Sequence, residues 1–155
     1  MRLQVAVVGR LKSGPEFDLW KDYIARFGKV GRPLGLPAIE LSEVEDKTSK
    51  GMSAEAILLS KVIAPGAFIV AMDERGAQLT SPEFAQLLAD RRDAAQDVAL
   101  VIGGADGIAP DLRAQAGQLI SFGRMVWPHM LARVMLAEQL YRAATILAGS
   151  PYHRV

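Results

Sequence analysis

Two runs of this chain are apolar on both faces, and they constrain the fold more than any other feature. Residues 66–72 (GAFIVAM) and 98–102 (VALVI) hold no polar residue. A strand with one wet face alternates apolar and polar side chains; a strand without that alternation is covered on both sides. Such strands belong to a largely parallel sheet with helices on both faces.

The segments between them supply the partners. Leu3–Gly9 is a further buried strand. Phe17, Trp20, Tyr23, Ile24 and Phe27 recur at helical spacing, which predicts a helix over 15–27 opened by Pro15. A strand is expected over 34–41, at a sheet edge because Pro37 lies inside it. Residues 42–51 (SEVEDKTSKG) are polar and read either as a solvated loop or as a mobile segment beside a site. Helical spacing resumes at Ile57, Leu58, Val62 and Ile63. Thr80-Ser81-Pro82-Glu83 is a capping-box start for a helix carrying Phe84, Leu87 and Leu88. A short helix over 110–116, a strand over 118–122 and a long helix over 129–148 complete the chain, the last stopped by Gly149 and Pro151. Strands alternating with helices define an α/β chain, expected to be one domain over residues 1–155.

Composition removes several function classes. The absence of cysteine excludes disulfides, cysteine zinc ligation and a thiol nucleophile. Two histidines are too few for an evident metal site, so no metal is expected. The opening apolar run ends at Gly9, too early for a signal peptide or a membrane span. The expected location is the cytoplasm, with no membrane partner. A net charge of +1 is low for a protein that binds nucleic acid through a broad basic field. RNA contacts, if made, are local or supported by a larger particle.

Ligands of open α/β sheets sit at the C-terminal ends of the strands. The first strand runs into VGRLKSG, which lacks both the Rossmann glycines and a Walker A loop. No acids end that strand, so a phospho-accepting receiver is disfavoured. Gly103-Gly104-Ala105-Asp106-Gly107 is the most glycine-rich turn. It is either a tight turn with Asp106-Gly107 at its corner or a place where a ligand meets bare backbone at positive φ.

On the last helix His129, Arg133, Leu136, Leu140 and Leu147 share one stripe. A cation on a core-facing stripe near a helix N-terminus needs either an anionic ligand or a buried ion-pair partner. Glu138 and Arg142, spaced i, i+4, read as helix support. The helix is apolar on nearly every side, which asks for a dimer interface or for a central position within one copy. The tail Tyr152-His153-Arg154 joins groups that stack on a base or hold a phosphate, although tails more often fray.

Taken together, IGGADGI (102–108), WPHMLARVMLAEQLYRAATI (127–146) and SPYHRV (150–155) resemble the ribosomal large-subunit (23S rRNA) pseudouridine-N3 methyltransferases of the SPOUT class. The resemblance runs from LQVAVVG (3–9) to the end. It implies an α/β fold with a C-terminal trefoil knot, a homodimer, and S-adenosylmethionine as methyl donor. It places the cofactor against Met72, Gly103, Gly104 and the loop Phe122, Gly123, Arg124, Met125, Val126, Trp127. Arg124 and Trp127 depart from the smaller or aliphatic residues usual there, so contacts in that loop are expected through backbone. The substrate implied is ribosomal RNA within the assembled ribosome.

Methyl transfer from a sulfonium is mostly a matter of positioning, but the imide N3 must lose a proton, so a base or electrostatic help is expected. By resemblance, His153, Tyr152 and Arg154 act on the base from across a dimer interface, with His129 and Arg133 near it and Arg133 holding phosphate or base. Two other readings remain: a ribosome-binding factor without catalysis, and an enzyme acting on tRNA ribose.

Overall fold

The computed structural model describes residues 1–154. Five parallel strands form one sheet in the order β2-β1-β4-β3-β5. They are β1 (Leu3–Val8), β2 (Ile39–Val44), β3 (Phe68–Ala77), β4 (Val98–Ile102) and β5 (Gln118–Ile120). The helices are α1 (Pro15–Gly31), α2 (Met52–Val62), α3 (Ser81–Asp93), α4 (Pro110–Gln115) and α5 (His129–Leu147).

The strict period of two sorts the strands' side chains into two cores. Leu3, Val5, Val7, Val70, Val98, Leu100 and Ile102 meet Trp20, Phe27, Phe84, Leu88, Leu136 and Leu140 from α1, α3 and α5. Ala6, Val8, Ile69, Ala71 and Val101 meet Leu59 of α2 and Leu112 of α4. The doubly apolar runs are therefore central strands with helices on each side, as their composition demands.

Differences from the sequence reading lie in the second and third strands. The second strand begins at Ile39, because Arg32–Leu34 form a 3-10 turn closed by Gly35 at φ +76°. It stays an edge strand and takes in Ser42–Val44, part of the segment read as loop. The third strand continues through Asp73-Glu74-Arg75 to Ala77, with its pairing to β5 interrupted between Met72 and Ala77. A bulge accepts polar residues that a regular central strand would not. The Thr80 capping box is formed in full: the hydroxyl accepts from the Glu83 N–H at 3.3 Å, and Glu83 Oε2 accepts from the Thr80 N–H at 2.6 Å. α5 packs between α1 and α3, which accounts for much of its apolar surface within one copy.

Candidate active site

The ends of β3, β4 and β5 enclose a cavity of about 250 Å³. Met72–Arg75 form one wall, Gly103–Gly107 a second, and Ser121–Gly123 with Met125–Trp127 a third; His129 and Ala132 of α5 close it. A second cavity of about 240 Å³ shares Met72 and Ile120–Gly123 with the first and extends to Thr80, Phe84, Leu136 and Gln139. Either alone is smaller than a typical small-molecule pocket of about 300–1,000 Å³, and the pair with its shared wall reaches that range. Of the strand ends singled out from the sequence, Met72-Asp73-Glu74, Gly103-Gly104 and the stretch after Phe122 line one cavity; Gly9 is not in the lining, and Arg124 is exposed and lies outside it.

The glycine turn is both a tight turn and a cavity wall. Gly107 donates to the Gly104 carbonyl at 3.0 Å and is the residue at positive φ, +84°. Gly103 and Gly104 need space instead. A Cβ on Gly103 would stand 2.6 Å from the Gly107 oxygen, and one on Gly104 would collide with Glu55 Oε2. The expectation of positive φ at the first two glycines is therefore corrected: crowding from the turn and from α2 excludes a side chain there.

Three acids have partners that the sequence does not reveal, Asp73 on the cavity wall and Glu55 and Glu43 behind it. Asp73 is buried and accepts from the Arg75 backbone N–H at 2.9 Å, with Arg75 and Arg113 guanidinium groups at 3.3 and 3.7 Å. Glu55 is half-buried against Gly104; burial, then Asp106 and Asp46, push its carboxyl up, while His129 opposes them. Glu43 takes Arg133. That arginine is 1% exposed and donates to Glu43 Oε2 at 2.7 Å and to the Gly9 carbonyl at 3.1 Å. Of the two readings left open for Arg133, the structure contains the buried ion pair; the guanidinium presents no open face to RNA.

The tail does not reach the cavity in one copy. Tyr152 donates to Glu138 Oε1 at 3.0 Å and packs on Tyr141 with ring centroids 4.7 Å apart. His153 Nδ1 lies 3.2 Å from Arg142 Nη1, and Arg154 is exposed. Arg142 stands about 20 Å along α5 from His129. Glu138 and Arg142 are therefore more than helix support: they bind Tyr152 and His153. Burial, followed by the bond to Glu138, pushes the Tyr152 phenol up to about 12.

Among the described residues no group of three or more His, Asp or Glu side chains is placed to hold a metal. No described helix is long and apolar enough to cross a membrane. The lining fits adenosylmethionine in kind. Bare backbone at the glycine turn admits close approach, Met72 and Phe122 are apolar, and Glu74 and Asp106 suit a cationic ligand.

Comparison with known proteins agrees. The family model described as "Predicted SPOUT methyltransferase" matches residues 1–153. Among curated relatives, "Ribosomal RNA large subunit methyltransferase H" of Cereibacter sphaeroides is 68% identical, with 100% of both chains covered. The protein of the same name from Paracoccus denitrificans is 64% identical over 99% of each. Two solved structures share the fold. A probable methylase family protein from Haemophilus influenzae has a TM-score of 0.53 at 14% identity, covering 99% of this chain and 70% of that one. A probable methyltransferase from Bordetella pertussis has a TM-score of 0.53 at 15% identity, covering 92% and 94%. The chain belongs to the SPOUT methyltransferase family.

Proposed function

We propose that this chain methylates N3 of a pseudouridine in large-subunit (23S) ribosomal RNA, on the assembled ribosome, with S-adenosylmethionine as methyl donor. One observation carries the reading. Three loops from three different strands close on one cavity, in a chain 68% identical along its full length to a protein named for ribosomal RNA methylation. The cytoplasm is where such a substrate is met. Organisation as one domain over residues 1–155, with the knotted threading of the resembling family, belongs to the same proposal.

When bound, the cofactor supplies a methyl group already activated on a sulfonium. Met72, Gly103, Gly104 and the 122–127 loop would hold it, the loop chiefly through backbone because Met125 and Val126 stay 76% and 86% exposed. His129 stands on the cavity wall, and Arg133 fixes the first turn of α5 that carries it.

The reaction also needs groups that act on the base. Tyr152, His153 and Arg154 are the candidates, and one copy keeps them away from its own cavity. A homodimer resolves this by bringing the tail of a second copy to the cavity of the first. Support comes from the apolar residues at its edge, Met125, Val126, Trp127 and Leu131, all exposed in one copy. An apolar patch beside a site marks an interaction surface.

Transfer of tritiated methyl groups from adenosylmethionine tests the reading, with assembled ribosomes, free ribosomal RNA and tRNA as acceptors. Label on a large-subunit pseudouridine is expected. No label on any RNA, from a folded protein that binds the cofactor, contradicts the substrate; label on tRNA alone moves it to another RNA class.

A further inference from the structure

Arg142 sits at the junction of α5 and the tail. It holds Glu138 Oε1 through Nη2 at 2.5 Å and Nε at 2.9 Å. Its Cζ lies 4.8 Å from the centroid of the Tyr152 ring. Its Nη1 reaches His153 Nδ1 at 3.2 Å. A guanidinium carries N–H donors and no acceptor. The contact is therefore a hydrogen bond only when Nδ1 offers a lone pair, which places the proton of a neutral imidazole on Nε2. Nε2 is buried and has no partner among the described residues. Buried polar atoms of native proteins are paired, so an acceptor for this N–H comes from outside the described residues.

We propose that Arg142 is a positioning residue that fixes His153 as the Nε2–H tautomer, so that His153 donates a hydrogen bond to a carbonyl of the target base and does not accept the N3 proton. This rests on the function proposed above. N3 of the base lies between two carbonyl groups. Its proton leaves to water, its electron pair forms the new N–C bond, and the C–S electron pair stays with sulfur as a neutral thioether. Negative charge develops on the flanking carbonyl oxygens as the proton leaves, and the His153 N–H is placed to hold it, as donors aimed at developing oxyanions do. Glu138 completes the device. It fixes the guanidinium from the other side and takes the Tyr152 hydroxyl, so ring stacking and both hydrogen bonds orient the tail together.

The first test uses the protein alone, labelled with 15N in its histidine rings, and reads the tautomer from the ring nitrogen shifts. His153→Gln assigns the signal. At neutral pH a protonated Nε2 and a bare Nδ1 are expected, and in Arg142→Met, with secondary structure unchanged, this preference is expected to disappear. A proton on Nδ1, or a doubly protonated ring, in the parent protein overturns the proposal whatever the substrate is. The second test is methyl transfer to ribosomes. Glutamine keeps an N–H donor near the Nε2 position and cannot act as a base. His153→Gln is expected to stay within about tenfold of the parent, while His153→Ala falls by about 100-fold or more. Equal losses in the two variants overturn the donor role. A parent protein that labels no ribosome counts against the proposed function and leaves the tautomer result standing.

Discussion

Arg133 and Glu43 join the first turn of α5 to the edge strand β2 through a 2.7 Å ion pair, and the arginine side chain is 1% exposed. A second bond to the Gly9 carbonyl ties the same guanidinium to the end of β1. One cation thus ties the start of α5, whose His129 and Ala132 line the cavity, to the ends of β1 and β2. Removing the acid strands that cation without its counter-charge, and Glu43→Ala is expected to cost about 3 kcal/mol. Arg133→Met removes charge and guanidinium together and is expected to cost less. Urea unfolding midpoints check the order of the two; a milder effect in Glu43→Ala contradicts the pairing.

Glu55 gives a dependence on pH. Its carboxyl is pushed up, so the folded state binds this proton more tightly than the unfolded chain does. The contribution is fully favourable below the ordinary carboxylate pKa and is lost as pH rises through the raised folded value. Glu55→Gln escapes that loss. The variant is expected to melt above the parent at neutral pH, with the margin closing below about pH 4. Thermal melts across this range decide it, and a margin that widens on acidification refutes the environment described.

Crowding at the glycine turn distinguishes two neighbouring substitutions. In Gly103→Ala the new Cβ meets the Gly107 oxygen at 2.6 Å and Ile108 Cγ1 at 2.9 Å, and a backbone atom cannot swing aside. A cost of about 1–3 kcal/mol is expected, together with weakened adenosylmethionine binding in calorimetry. In Gly104→Ala the nearest obstacle is the end of the Glu55 side chain. Shortening it in Gly104→Ala/Glu55→Ala is expected to recover part of the loss, a coupling typical of residues in contact.

The Tyr152 phenol, pushed up to about 12, stays protonated through the neutral and mildly alkaline range. The alkaline difference spectrum between the parent and Tyr152→Phe is expected to lack a transition near 10. Loss of the bond to Glu138 is expected to cost about 1 kcal/mol. A tyrosine that ionises like a free phenol shows the tail to be undocked in solution.

Much of this architecture was legible in the residues. Runs 66–72 and 98–102 announce covered parallel strands because their period is missing, and the capping box at Thr80 announces a helix because its chemistry is local. The cavity followed, since ligands gather where such strands end. Polar residues that act over long sequence distances were not legible. Glu43 lies in a stretch that looks like a loop, and its partner is far along the chain at Arg133. Glu55 lies on a helix whose spacing says nothing of Gly104. Asp73 interrupts a strand by a bulge that only the pairing with β5 reveals. The i, i+4 spacing of Glu138 and Arg142 was visible, but their use by the tail depends on the chain folding back over α5.

The proposed site joins the cavity of one copy to the tail of another. Its most direct test joins a cavity-blocked variant, Gly103→Val, with a tail variant, His153→Ala, each nearly inactive alone, in a doubly tagged heterodimer. Such a dimer holds one intact pairing of cavity and tail, and about half the transfer of the parent dimer to ribosomes is predicted. A purified heterodimer that stays as inactive as its parents contradicts the account and places both sets of residues in the same copy.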